Sequence, residues 1–170
     1  KKYKSFKNIK LYFGILGELS KDSFLNIYKH KGYISTKEIN KKSIWFDIVR
    51  KNEKKLISKK KVSIIQSDLF FKKHKIPFDD ILKIDAEGQE LEIIRGLKDN
   101  IKKFKAVIFE GDFDESYKNA SSFSSINLEL SKNFFVGRIN LHKTNLSEFN
   151  SESGTLPLSS DTIVLSKNFF

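Results

Sequence analysis

One stretch of sixteen residues, 81–96, constrains the fold more than any other part of the sequence. It opens with the apolar run 81–84, passes through acidic residues and a glycine, and continues with apolar residues at helical spacing. This order predicts a buried strand, a turn and a helix. Ligands in open α/β sheets bind beyond the carboxyl ends of the strands, so Asp85 and Glu87 lie where a site is expected.

Two interpretations of the acidic turn are open on spacing alone. In the first, Asp85 caps the helix, and Glu87 and Glu90 lie near its start because the positive end of the helix dipole favours carboxylates. In the second, the carboxylates form a site. Lys83 favours the second interpretation, because it alternates onto the same side of the strand as Asp85. A lysine in a strand covered on both faces is costly unless it is paired, so the sequence predicts a buried Lys83 beside Asp85.

Residues 83–96 also resemble a known family. They read K-I-D-A-E-G-Q-E-L-E-I-I-R-G and are similar to the K-I-D-x-E-G-x-E-x-x-x-L-x-G signature of FkbM-type methyltransferases, with Ile94 in place of leucine. Three flanking stretches are similar in weaker form. Residues 12–18 resemble the family's A-L-G-d stretch, 64–70 its T-L-D-d-f segment, and 107–110 the next strand, which ends in glutamate.

The resemblance implies an α/β fold with a Rossmann-like class I methyltransferase sheet of strand order 3-2-1-4-5-7-6. The family's first two strands and the glycine turn after the first of them are not found, the sequence contains no methionine, and it opens on two lysines. We therefore expect the C-terminal two thirds of a single domain, with an incomplete sheet and an antiparallel late strand pair. The expected parts are the third strand plus an inserted hairpin (1–66), the signature strand, helix and strand (67–112), and a late helix and strand pair (113–170).

The same resemblance implies an enzyme that transfers a methyl group from S-adenosylmethionine to a hydroxyl of a sugar, a glycan or another secondary metabolite. Asp85 and Glu87 would orient that hydroxyl and remove its proton. Glu110 would join them from the next strand end, and Lys83 would keep Asp85 ionised. An alternative is that these carboxylates, with Asp112, bind a divalent cation, since hard oxygen ligands suit such ions. Our prediction includes no metal site.

The resemblance makes Leu16 and Gly17 the candidates for cofactor contact, although the main cofactor-binding turn is not found. For that reason we expect this chain alone to be inactive and its parent protein to be the enzyme. The rival hypothesis is a noncatalytic relic or interaction module with the same fold. The intact set of Lys83, Asp85 and Glu87 favours the enzyme, and the missing glycine turn favours the rival.

The charge balance suggests a different class of partner. The chain has 32 Lys and Arg against 21 Asp and Glu, a net charge of +11, which suits nucleic acid or an acidic membrane. Only three of these basic residues are arginine, which specific nucleic-acid readers use for bidentate contacts, and the lysines are spread along the whole sequence. We therefore predict no nucleic-acid partner. A lysine-rich RNA-binding protein remains a third hypothesis for the function. The lysine run 59–61 is predicted to be a solvated connection before a strand.

The remaining sequence features mainly exclude certain kinds of site and location. Without cysteine the chain has no disulfide, thiolate nucleophile or Cys-type zinc site. The histidines lie far apart and are predicted to be surface or loop residues: His30, His74 and His142. No apolar window reaches the length of a bilayer span and no signal peptide is visible, so we expect a cytoplasmic protein without a membrane span. The oligomeric state is unknown.

Periodicity and turn residues predict the remaining elements. Strands are expected over 9–16, 23–28, 61–66, 106–110, 134–141 and 162–165. The strand over 23–28 is expected to pair with the residues after Gly32. Asp68 is expected to cap a helix over 69–74, and one of three serines (Ser121, Ser122, Ser124) a helix through Leu130. Residues 41–57 suit a helix or an edge strand equally, and 145–157 are predicted to be a loop.

Overall fold

The fold is a mixed α/β arrangement, seen in a computed structural model that describes residues 8–30, 32–145 and 155–169. The strands are β1 (Ile15–Gly17), β2 (Lys21–Tyr28), β3 (Ile34–Ser35), β4 (Leu56–Gln66), β5 (Ile81–Ile84), β6 (Ala106–Asp112), β7 (Phe134–Asn145) and β8 (Thr155–Ser166). The α-helices are α1 (Ser67–Lys73), α2 (Glu90–Gly96) and α3 (Phe123–Ser131). Shorter helical turns are a π-helical turn (Trp45–Val49) and 3₁₀ turns (Lys98–Lys103 and Lys167–Phe169). The predicted α/β class is confirmed.

The first sheet is built around the long strand β4. In the described residues its order is β1-β4-β2-β3, with β1 parallel to β4 and the other pairs antiparallel. The predicted hairpin after Gly32 is confirmed as β2 and β3. The lysine run 59–61 lies inside β4, so its prediction as a connection is wrong. Lys59 and Lys61 pair with Glu38 and Asp22, which allows a charged stretch to form a solvent-facing strand.

The second sheet carries the signature strand. Its order in the described residues is β5-β6-β8-β7, with β5 parallel to β6 and the other pairs antiparallel. Ile84, the last residue of β5, lies opposite Phe109, and β6 continues beyond β5 to Asp112. The predicted late antiparallel pair is present as β7 and β8, although both strands begin or end beyond their predicted limits. Residues 146–154, in the middle of the predicted loop, lie outside the described residues.

The main hydrophobic core lies between the second sheet and the helices. The predicted apolar face of the signature helix is confirmed, because Leu91, Ile94 and Leu97 are all buried in this core. The helix also packs closely against β1: a Cβ added at Gly96 would lie 2.0 Å from the carbonyl oxygen of Gly17. Only a glycine at this position allows the two backbones to approach so closely.

A second, smaller core joins the first sheet to the loop that follows β6. It consists of Tyr28, Ile39, Phe46 and Tyr117. The π-helical turn is fixed to the same loop, because both carboxylate oxygens of Asp114 accept backbone N–H bonds at its start, at 2.7 and 3.0 Å. The ambiguous region 41–57 is thus resolved into this turn and the first residues of β4. These contacts hold one wall of the cleft described below.

Two predicted elements differ from the structure. The strand predicted over 9–16 is limited to Ile15–Gly17, because only those residues pair with β4. Asp68 does not cap α1 but lies within its first turn. Its carboxylate is buried and accepts bonds from Lys72 at 2.8 Å and from Asn100 at 2.6 Å, so it ties the helix to the 3₁₀ turn instead. The α3 cap is confirmed as Ser122, whose hydroxyl accepts the N–H of Ser125.

Candidate active site

A cleft of about 570 Å³ opens where β5 and β6 end. Acidic side chains line one part of it and aromatic side chains another. The acidic residues are Glu87, Glu90, Glu110 and Asp112, and the aromatic residues are Tyr33, Trp45, Phe46 and Tyr117. Basic groups also line it, since Arg50, His142 and Lys143 belong to the same surface. Two of the acidic residues predicted from the sequence, Glu87 and Glu110, therefore face a concavity, which is the usual setting of a ligand site.

The turn after β5 explains why the signature has its acidic and glycine residues. Glu87 and Gly88 both adopt positive φ, 51° and 90°, a conformation that glycine reaches most easily. The carboxylate of Glu90 stabilises this turn, because its Oε1 accepts the N–H of Ala86 at 2.9 Å and of Gly88 at 3.4 Å. Gln89 rather than Asp85 occupies the cap position of α2, so the capping interpretation of Asp85 is wrong.

Glu87 points into the cleft and is held from two sides. Its Oε2 accepts the hydroxyl of Tyr117 at 2.5 Å, and its backbone carbonyl accepts the hydroxyl of Ser35 at 2.8 Å. Burial raises the pKa of the Glu87 carboxyl, the Tyr117 hydrogen bond lowers it, and the charges of Glu110 and Asp85 raise it. The side chain is therefore fixed in position, and its proton affinity is higher than that of a solvated carboxylate.

Glu110 and Asp112 enter the cleft from β6, the parallel neighbour of β5. Glu110 accepts the hydroxyl of Ser159 at 3.2 Å, and Asp112 accepts the backbone N–H and the hydroxyl of Ser116 at 3.0 and 3.2 Å. Burial raises the pKa of Glu110, and it raises the pKa of Asp112 to about 6. A carboxyl group with a raised pKa is a stronger proton acceptor than a solvated one, which suits general-base chemistry.

The structure separates Lys83 and Asp85 from the cleft, although they pair as expected. Lys83 Nζ lies 3.1 Å from Asp85 Oδ2, but the two side chains are 59% and 54% exposed. The predicted burial of Lys83 is therefore wrong, because the side of β5 that carries Ile81 and Lys83 faces solvent. Asp85 contributes to the cleft through its charge, which raises the pKa of Glu110 after the larger effect of burial.

Leu16 and Gly17, the predicted cofactor-contact residues, lie on β1 and do not line the acidic cleft. Gly17 lines a second cavity of about 440 Å³, together with Gln89 and Thr36. Leu16 lines a third cavity of about 210 Å³, which also includes Gln89 and Thr36. These cavities lie along the side of the signature turn that faces β1.

Several residues of the cleft had no recognisable signal in the sequence. Tyr117 lies in an irregular loop, and Ser159 lies on a strand distant in sequence from the signature. His142 was predicted to be a surface or loop residue; it is half exposed but lies on β7 and lines the cleft. The approach of Ser159 and His142 depends on the pairing of β8 with β6 and β7, which no local pattern specifies.

The other two histidines lie away from the acidic cleft. His30 is exposed before the hairpin turn, as predicted for a surface or loop residue, and accepts the N–H of Gly32. His74 directly follows α1 and its ring packs against Tyr12 and Phe70. Among the described residues no group of three or more His, Cys, Asp or Glu is arranged to hold a metal ion. In the same residues, no helix is long and apolar enough to span a bilayer.

Burial of Glu90 predicts a specific pH dependence of stability. The side chain is only 3% exposed, and burial raises its pKa to about 7. The folded chain therefore keeps a proton that the unfolded chain releases above its ordinary pKa of 4.5. The free energy of unfolding should fall as the pH rises from about 4.5 to about 7, by roughly 3 kcal/mol from this group.

Glu90→Gln should flatten this dependence, because the amide does not titrate while its oxygen can still accept the two N–H bonds. Urea unfolding between pH 4.5 and 8 measures the effect. Glu129→Gln is the matched control: Glu129 lies on α3, outside the cleft, and its pKa is lowered by Lys132. If the free energy of unfolding fell as steeply with rising pH in the Glu90→Gln variant as in the wild type, the raised pKa of Glu90 would be contradicted.

Comparison with known proteins identifies the family of the chain. A family model described as the methyltransferase FkbM domain matches residues 15–136, which include the signature turn, Glu110 and Tyr117. The match places the chain in the class of methyltransferases. More particularly, the chain belongs to the FkbM methyltransferase family. No curated protein and no solved structure matches the chain.

Proposed function

We propose that the acidic cleft is the methyl-transfer site of an S-adenosylmethionine-dependent O-methyltransferase, and that the acceptor is a hydroxyl of a sugar, a glycan or another secondary metabolite. The observation that carries the proposal is the pair of half-buried carboxylates, Glu87 and Glu110, at the ends of two adjacent parallel strands. Burial raises the pKa of both groups. Perturbed carboxyl groups in a cleft are typical of acid–base sites.

The lining of the cleft fits the charge of the proposed methyl donor. When bound, S-adenosylmethionine supplies an electrophilic methyl group on a positively charged sulfur. A cation of this kind is stabilised by nearby carboxylates, here Glu87 and Glu110, and by the faces of aromatic rings, here Tyr33 and Trp45. Leu16 and Gly17 are proposed contacts for the rest of the donor, because their cavities adjoin the same signature turn. The β5-β6-β8-β7 order supports a Rossmann-like sheet.

Glu110 is the proposed general base. Its carboxylate accepts one hydrogen bond from a described residue, that of Ser159, and can therefore accept another from an acceptor hydroxyl. It takes the hydroxyl proton as the new carbon–oxygen bond forms and the carbon–sulfur bond breaks. A positioned base of this kind contributes about 10²–10⁴-fold to the rate.

Glu87 is the proposed orienting group. Tyr117 and the positive-φ turn fix its carboxylate, so one oxygen stays available to accept a hydrogen bond from the acceptor hydroxyl. Holding the acceptor oxygen in line with the methyl group supplies a further part of the rate acceleration. The acceptor then loses its translational and rotational freedom when it binds, so this loss does not add to the barrier of the chemical step. Asp85, which pairs with Lys83 outside the cleft, is proposed to act through its charge.

The aromatic wall suits a hydroxylated ring as acceptor. Trp45 and Tyr33 contribute aromatic surface to the cleft, and the carboxylates of the same cleft can accept hydrogen bonds from hydroxyl groups. Arg50 lies over the ring of Trp45, 5.2 Å from its centroid, which fixes the indole at the cleft. A sugar presents the same two features, namely apolar C–H faces and a rim of hydroxyl groups.

Donor binding tests the proposal first. In the full-length protein, S-adenosylmethionine at a hundred times its dissociation constant should stabilise the folded state by about 2.7 kcal/mol, seen as a rise in Tm. Mass spectrometry of a panel of methyl glycosides and other hydroxyl compounds then identifies the methylated acceptor. A Tm that does not change with the donor would contradict the proposal and favour the noncatalytic module.

A further inference from the structure

We propose that Ser159 and His142 form the route by which the proton taken up by Glu110 leaves the cleft. The proposal rests on the proposed function, because it requires Glu110 to be the base. Glu110 Oε1 lies 3.2 Å from Ser159 Oγ, which lies 3.3 Å from His142 Nδ1, and His142 Nε2 lies 3.0 Å from Asp161 Oδ2. The four side chains thus form one hydrogen-bonded chain from the cleft to the surface.

Strand pairing builds this chain. Glu110 on β6 lies opposite Asp161 on β8, and Ser159 on β8 lies opposite His142 on β7. Side chains two positions apart on a strand share a face, so Ser159 and Asp161 both reach the imidazole. The side chains of His142 and Asp161 are 49% and 44% exposed, whereas Glu110 is half buried. One end of the chain is therefore in the cleft and the other is in water.

The hydrogen bonds allow a proton to move in steps from Glu110 through Ser159 to His142. Asp161 accepts Nε2–H, which fixes the tautomer and leaves Nδ1 of the neutral ring free to accept a proton. The serine hydroxyl donates to the ionised Glu110; once Glu110 is protonated it donates to Ser159 Oγ instead, and the serine hydroxyl turns to donate to His142 Nδ1. The Glu110 proton then passes to Ser159 Oγ while the serine hydroxyl proton passes to Nδ1. The products are an ionised Glu110, an intact serine hydroxyl and an imidazolium ion. The exposed imidazolium ion then releases one proton to water, and the starting state is restored when the neutral ring again carries its proton on Nε2.

The charges around Glu110 agree with this direction of transfer. Burial raises the pKa of Glu110, whereas the Ser159 hydrogen bond and the charge of His142 lower it. The network therefore helps Glu110 to return to its ionised form after each turnover. Charged groups that also interact electrostatically with Glu110 are Lys83, Asp85, Glu87, Glu90, Asp112 and Asp161.

Neither Ser159 nor His142 lies within the stretch that matches the family model, which ends at residue 136. Both are positioning residues rather than catalytic ones, because they act through Glu110. Their effect should therefore appear in the proton step and not in acceptor binding. This separates the proposal from a general role of β7 and β8 in folding.

The experiment compares His142→Ala and Ser159→Ala with wild type in the full-length protein. With a panel of methyl glycosides as acceptor, His142→Ala should lower kcat about tenfold or more and leave KM unchanged. Added imidazole should restore kcat, because it can occupy the space left by the exposed ring. Arg138→Ala, an exposed change on the same strand, is the control and should have the wild-type kcat, unaffected by imidazole.

A second measurement does not depend on turnover. Carbon NMR of the Glu110 carboxyl should show a higher pKa in both variants than in wild type, since each removes an interaction that lowers it. Wild-type kcat in His142→Ala at all pH values would overturn the relay. If the wild type methylates no acceptor in the panel, the proposed function fails. The titration of the Glu110 carboxyl then tests the hydrogen-bonded chain without the kinetic data. An unchanged Glu110 titration in both variants would then overturn the hydrogen-bonded chain.

Discussion

Glu110→Gln should lower kcat for methyl transfer by about 10²–10⁴-fold and leave KM for the acceptor nearly unchanged. The amide keeps the size of the side chain and can still accept the hydroxyl of Ser159, but it cannot take a proton. The loss therefore falls on the chemical step alone. Initial rates of transfer of a labelled methyl group, measured over acceptor concentration, separate kcat from KM.

Two further variants define what is specific to Glu110. Glu87→Gln should also lower kcat, because a neutral amide bonded to Tyr117 orients the acceptor hydroxyl less well. Glu129→Gln, outside the cleft on α3, should leave kcat unchanged. A Glu110→Gln enzyme with wild-type kcat would contradict the assignment of the base, whatever the result for Glu87.

Asp85→Asn distinguishes the site in the structure from the site expected from the sequence. The sequence placed Asp85 beside Glu87 as an equal partner in proton removal. In the structure Asp85 is 54% exposed and paired with Lys83, and it does not line the cleft. We therefore expect the smallest loss of kcat among the three acidic variants. A loss as large as that of Glu110→Gln would show that Asp85 turns inward during the reaction.

Gly96→Ala should lower the free energy of unfolding by about 3 kcal/mol or more, at the upper end of overpacking effects. The new methyl group would lie 2.0 Å from the carbonyl oxygen of Gly17 and 2.8 Å from Ser67 Oγ. The first of these is a backbone atom of β1, so a side-chain rotation cannot relieve the clash. The helix and the strand would have to separate, which disturbs the cleft turn at the other end of α2.

Gly32→Ala is the matched control for Gly96. Its added methyl group would meet only the ring of the exposed His30, at 3.1 Å. We expect a change of less than about 1 kcal/mol, because that side chain can move. Urea unfolding of both variants gives the free energies. Equal and small losses would contradict the close packing of α2 on β1.

The fold around the signature could be predicted because its pattern is local. The apolar run, the acidic turn and the helical spacing lie in consecutive residues, and the structure has β5, the turn and α2 in that order. The position of Glu110 followed from the same logic, since it lies on the next parallel strand, one residue beyond the end of that strand's pairing with β5. The function of Glu90 in holding the turn was not foreseen, because the spacing fits a helix-dipole role equally well.

The failures share a physical cause. Burial of Lys83 was inferred on the assumption that β5 is covered on both faces, whereas one side of that strand faces solvent. Tyr117, Ser159 and His142 reach the cleft through a loop and through antiparallel strand pairing. Register between distant strands depends on tertiary packing, so residues placed by it leave no periodic trace in the sequence.

Transfer of a methyl group by a double variant tests the central claim most directly. Full-length wild type and Glu87→Gln/Glu110→Gln are each given methyl-labelled S-adenosylmethionine and the acceptor found by mass spectrometry, and label on the acceptor hydroxyl is measured. We expect transfer by wild type and none above background by the double variant, with the donor kept at a saturating concentration because both carboxylates also stabilise its positive charge. Transfer by the double variant at the wild-type rate would contradict the placement of the reaction in this cleft.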